Sequence, residues 1–244
     1  EEGQGVGIVE VGLDMVMLSK ENQALIQELY MIMIALAVVM LMIFFEGMSF
    51  LQERKAYLAR KKAQKEARIS PVMFRMIVFG IFFIINLSTG FMSIYATELA
   101  QESGVTAIPK EILAAVPISA EVLTGALFSV WGNFFIRKMG QRRAAVLGGI
   151  LFAAGLVLRF VPHIGILTLG GAIQGCGWGI ILLIVSVLIA QEENEDARDQ
   201  GFAGYNIACQ NGVNAGIVFG GFLLNWLSYR QVFLVGAVLS AGVL

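Results

Sequence analysis

The chain has 244 residues, 57% of them hydrophobic and only 14% charged, with a net charge of −1 and a mean hydropathy of +0.77. A charged fraction well below the quarter or so usual in soluble domains excludes an ordinary soluble globule. The near-neutral balance gives no nucleic-acid signal, one histidine (His163) cannot build a metal site, and Cys176 and Cys209 sit inside apolar runs as small buried hydrophobes rather than as a disulfide.

Residues 4–13, QGVGIVEVGL, alternate and are rich in Val and Ile, which is a strand signal. Asp14 or Ser19 supplies a cap for a following helix. The run GVGIVEVGLDMVML resembles the last strand and exit helix of extracellular Cache-type sensor domains. Residues 1–28 are therefore expected to be the end of such a domain. No secretory signal opens the chain. Because it begins without Met and stops inside an apolar run, it is expected to be part of a longer protein.

Leu29 to Leu51 forms an apolar stretch interrupted only by Glu46, long enough for a transmembrane tether. Residues 52–70 then carry seven Lys or Arg against Glu53 and Glu66, and favour a basic linker helix. Ser70 and Pro71 make a helix start, a cap followed by a residue whose missing N–H is harmless at the first position. Six apolar segments follow, at 72–97, 112–136, 144–161, 166–190, 201–226 and 231–244. The first five are long enough to cross a bilayer, and the sixth, at fourteen residues, is too short as it stands.

With 52–70 on the cytoplasmic side, thirteen Lys and Arg lie inside and four outside, which threads the chain with its N terminus out. The acidic segment 191–199 runs against this count, but acids weigh little in the rule.

The connection from Ser129 to Arg143, SVWGNFFIRKMGQRR, joins the second and third segments through a glycine and four basic residues, Arg137, Lys138, Arg142 and Arg143. Aligned on Gly140, it resembles the loop between helices two and three of the major facilitator superfamily, roughly G-x-L-x-D-R-x-G-R-R. It departs from that pattern in having Asn133 for the first glycine and Arg137 for the acid. Gln174, Gly175, Gly177 and Gly179 are similar to the family's fourth-helix R-x-x-Q-G-x-G-x-G pattern, with Gly171 in place of the arginine. Gly216, Gly220 and Gly221 are similar to its fifth-helix G-P-x-x-G-G pattern, with Ile217 in place of proline. Ser228, Tyr229, Arg230 and Phe233 resemble its link between helices five and six.

The resemblance implies an all-α membrane protein: a major-facilitator-like helical bundle over 71–244, its sixth span cut short, with one additional N-terminal transmembrane helix. Gly171, Gly175 and Gly179, and likewise Gly212, Gly216 and Gly220, recur every four residues and share a face, which lets helices approach closely.

Glu121 is the one well-embedded ionisable residue, about 22 Å along its span from Ile136 at 1.5 Å per residue. It faces either a cavity or partner, or a wet outer mouth opened by a break at Pro117. Arg159 and Glu98, near span ends, are expected to snorkel. Asn206, Gln210 and Asn214 share a face of the fifth span, as Asn86, Ser93 and Thr97 roughly do on the first. Amides facing lipid would waste hydrogen bonds. The first-span set is read as cavity-lining by resemblance, while the fifth-span set is either cavity or interhelical glue.

No nucleophile–base pair or phosphate loop appears, so an enzyme is not expected, nor any cofactor. The expected function is transport of a small solute by alternating access, linked to an extracellular sensor domain. The alternative is a receptor module that relays a signal, on binding an extracellular ligand, to a cytoplasmic effector. Expected partners are the lipid bilayer, the solute or ligand, a missing C-terminal half of the same chain and a second copy as homodimer. The expected location is the plasma (inner) membrane.

Overall fold

The computed structural model describes residues 74–104 and 109–243, together with isolated positions between Ile26 and Lys55, all of them helical. The strand expected at 4–13 and nearly all of the basic linker lie outside the described residues. The chain divides at Val38–Val39 into two units. In the first, the described Ile26, Tyr30, Met33 and Ala37 are helical and exposed. The second holds the bundle.

Seven helices make up the bundle: α1 (Phe74–Asn86), α2 (Thr89–Glu102), α3 (Lys110–Met139), α4 (Gln141–Leu158), α5 (Ile164–Ala190), α6 (Glu195–Leu223) and α7 (Tyr229–Val243). Among the described residues there is no strand. Among the described residues four spans are long and apolar enough to cross a membrane: α1 with α2, α3, α4 and α5. Helix α6 has the length but not the apolarity, because Asn206, Gln210, Asn211 and Asn214 lie along it. Helix α7 has 15 residues.

The first span, expected as one helix from 72 to 97, is two. Three side chains in a row turn back on the ladder there. The Asn86 amide donates to the Phe82 carbonyl at 2.8 Å, and the Ser88 and Thr89 hydroxyls donate to that of Ile85 at 3.2 and 3.4 Å. Such local bonds compete with regular helix and bend it. The expected break at Pro117 does not occur, since α3 runs through it. A helix of 30 residues loses one backbone bond there and keeps the rest.

Helices α3 and α4 meet at Gly140, whose φ of +83° lies where a side chain would be strained. Its N–H closes α3 on Ile136 at 2.9 Å, and its carbonyl accepts from Ala144 at 3.1 Å to open α4. One residue thus ends one helix and starts the next. Arg137, Lys138, Arg142 and Arg143 stand exposed around it, the first two in the last turn of α3, where positive charge suits the helix dipole.

Packing follows the glycines. A Cβ at Gly179 would lie 2.5 Å from the Gly125 carbonyl oxygen on α3. At Gly175 it would collide with Thr124 Oγ1 and the Glu121 carbonyl. On α6, a Cβ at Gly212 would lie 2.6 Å from the Phe79 carbonyl oxygen, and one at Gly216 2.5 Å from that of Phe83, while one at Gly220 would strike Leu87. So α5 lies against α3 and α6 against α1 at backbone distance. Gly221 has open space instead and takes no part in the packing. Helix α2 leans on α3, and its Phe91 and Tyr95 pack their rings against Tyr229 and Phe233 of α7 at centroid distances of 5.1–6.1 Å, Phe91 stacked on Tyr229 and the other pairs tilted or edge-on.

Candidate functional site

Arg159 closes α4 and is fully buried. Its expected snorkelling to an interface is therefore wrong. The side chain turns inward across α5 at two glycines. A Cβ on Gly170 would sit 3.0 Å from Arg159 Cγ, and one on Gly171 would sit 2.7 Å from Nη2. On the same side of Gly171 lie the Pro117 carbonyl oxygen at 2.8 Å and Glu121 Cβ at 3.6 Å. The missing side chains at 170 and 171 leave the room through which a cation on α4 reaches an acid on α3.

There Arg159 Nη2 donates to Glu121 Oε2 at 2.6 Å, with side-chain exposures of 0% and 9%. The wet-mouth reading of Glu121 is thereby replaced: it is buried and paired. The guanidinium also lies 5.9 Å from the centroid of the Phe233 ring, within cation–π range. Taking both charges out of water is expensive, and only a close, hydrogen-bonded pair offsets it.

Gln174, one turn along α5 from Gly170 and Gly171, is fully buried, its backbone held against Gly155 of α4. Both of its amide atoms lack a hydrogen-bond partner, as do Glu121 Oε1 and Arg159 Nε and Nη1. Unmet polar atoms in an apolar bundle are costly, and several in one place make this cluster a candidate functional site. Thr124 fastens the α3 side of the cluster, its hydroxyl lying 2.9 Å from the Ala172 carbonyl of α5.

Beside this pair is a cavity of about 340 Å³. It is bounded by α1, α3, α5 and α6, with the residues just after α1 and the start of α2. It brings Asn86 and Glu121 together with Ser88, Thr89 and Trp178. Trp178, which sequence reasoning missed, packs its indole against Gly125 and leaves its N–H without a partner.

Ser93 does not join them: beyond the break the register changes, and it is exposed. Asn206, Gln210 and Asn214 are exposed along α6, outside the cavity lining. A larger cavity, about 640 Å³ and lined by Arg142 and a mostly apolar wall, includes neither Glu121 nor Asn86. The buried ion pair at the wall of the smaller one makes it the better candidate site.

Among the described residues no cluster of His, Cys, Asp and Glu could hold a metal ion. His163 instead caps α5, its Nδ1 accepting from the Gly165 N–H at 3.1 Å.

None of the curated proteins matches this sequence. The profile of the Major Facilitator Superfamily matches residues 77–244, which take in every helix that surrounds the cavity and the buried pair. With glycine-packed spans, the Gly140 turn and that match over more than half its length, the chain belongs to the Major Facilitator Superfamily, a family of membrane transporters.

Proposed function

We propose that this chain is half of a transporter that moves a small solute by alternating access, and that the cavity between α1, α3, α5 and α6 is its share of the solute site. The observation that carries the reading is the buried Glu121–Arg159 pair at the cavity wall, with Asn86 and Trp178 beside it. A second half of the same protein would close the cavity against the exposed amides of α6, and rocking of the two halves would open it to either side in turn. The N terminus lies outside, in the plasma membrane, where residues 1–28 end an extracellular sensor-like segment that biases transport. The uneven basic count supports this threading.

The experiment is flux through the reconstituted full-length protein across a panel of ions, amino acids and amphiphiles. Glu121→Gln, which keeps an oxygen for Arg159 but removes the charge, should lower flux at least tenfold while insertion and folding persist. A folded protein with no flux for any solute would count instead for a receptor module. Orientation has its own check. Single cysteines at positions 19 and 64, in a background without Cys176 and Cys209, should react with an impermeant reagent in intact cells only at 19.

A further inference from the structure

The cavity wall holds one formal charge, the Glu121 carboxylate, and Arg159 already meets it at 2.6 Å. Most donors of the neighbouring polar groups are spent within the first span: one Asn86 N–H on the Phe82 carbonyl, and the Ser88 and Thr89 hydroxyls on that of Ile85. Ser88 and Thr89 therefore keep only oxygen lone pairs to offer, while Asn86 keeps its carbonyl oxygen and one N–H. Glu121 Oε1, an acceptor, and the Trp178 indole N–H, a donor, lie buried beside the cavity without partners. The remaining lining is hydrocarbon and aromatic, from Phe82 and Ile85 across to Ile118, Val122 and Val213.

A cation entering this space would have to compete with a guanidinium bound at 2.6 Å. An anion would meet a carboxylate and a set of lone pairs. A neutral molecule carrying O–H or N–H groups on an apolar body meets acceptors with donors and leaves the ion pair intact.

From this charge and donor balance we propose that the site takes an uncharged, mainly apolar solute that presents hydrogen-bond donors, such as an aromatic alcohol or amide, in preference to a cation or a carboxylate. The inference rests on the transport reading. A volume of about 340 Å³ is at the small end of ligand pockets, which favours a single ring with a short polar arm.

Trp178 makes the site its own reporter. In full-length protein with every other tryptophan replaced by Phe, its emission is titrated with three probes of matched shape: benzyl alcohol, benzylammonium and benzoate. Benzyl alcohol should give a saturable change with a half-saturating concentration at least tenfold below the other two. Filling the space with Ile118→Phe should abolish that change.

A ranking led by benzylammonium or benzoate overturns the proposal and leaves the transport reading standing. So does a benzyl alcohol response that never saturates or survives Ile118→Phe, since it reports partition into lipid. If no probe gives a saturable response the proposal also fails, and the transport reading fails with it only if the flux panel is blank as well.

Discussion

Two sets of polar side chains in this bundle look alike as letters and differ in everything physical. Glu121, Arg159 and Gln174 are buried, at 7%, 0% and 0% exposure, and held between α3, α4 and α5. Asn206, Gln210 and Asn214 run along the exposed face of α6 and bond to nothing across a helix interface. The first set is built into the packing, because the glycines that let α5 approach its neighbours also admit the Arg159 side chain. The second is laid on the outside of a helix whose opposite face, Gly212, Gly216 and Gly220, does the packing. Polarity on a span is therefore not one signal. Its meaning depends on which side the small residues take.

The sharpest way to break the contrast is to remove one buried charge. Arg159→Met leaves Glu121 unpaired in the interior and should cost about 3–5 kcal/mol of stability, read as a lowered midpoint in denaturant unfolding. Adding Glu121→Leu should restore most of it, because an apolar pair of similar volume is a tolerable substitute for a buried ion pair. If the double variant is no more stable than the single one, the charges are not coupled as the 2.6 Å contact implies.

Gly171→Ala tests the passage rather than the charges. The new Cβ would stand 2.7 Å from Arg159 Nη2 and 2.8 Å from the Pro117 carbonyl oxygen. A loss of about 1–3 kcal/mol is expected, as for other overpacked sites, and the loss should shrink when Arg159 is already Met.

At the other end of the scale, Gln210→Ala should change the stability of the folded protein by no more than about 0.5 kcal/mol. If the α6 stripe faces a second half, the same change should show in flux instead. An unfolding midpoint that drops as far as that of Gly171→Ala would end the comparison between the two sets.

Much of the fold was legible because bilayer physics writes it in long runs: apolar lengths mark α3, α4 and α5, and glycines at four-residue spacing mark the close faces. Gly140 was legible as the turn because nothing else suits a φ of +83° between two helices. Glu121 stood out by its depth, but its partner did not. Arg159 lies 38 residues away at a helix end, where a long basic side chain ordinarily reaches for water. No local pattern says that it turns inward. The only trace was indirect, a glycine at 171 where the related pattern has an arginine, and its meaning required knowing what stood opposite. The break after α1 was present as Asn-Leu-Ser-Thr at 86–89 and was passed over because the surrounding residues are so apolar. Pro117 misled in the opposite direction, since a long, well-packed helix absorbs one missing bond.

That break in the first span has a mechanical consequence. Below it, α1 is meshed with α6 through carbonyl contacts at Gly212 and Gly216; above it, α2 is clasped to α3 and, by a cluster of four aromatic rings, to α7. The two pieces share α7 and α6 as neighbours and differ in their main partner, α6 for the lower piece and α3 for the upper. The join between them carries its own hydrogen bonds through Asn86, Ser88 and Thr89. A twist applied to the upper piece would be taken up at the join, between Asn86 and Ser88, both of which line the cavity. A join so placed would act as a torsion joint, with its pivot beside the cavity.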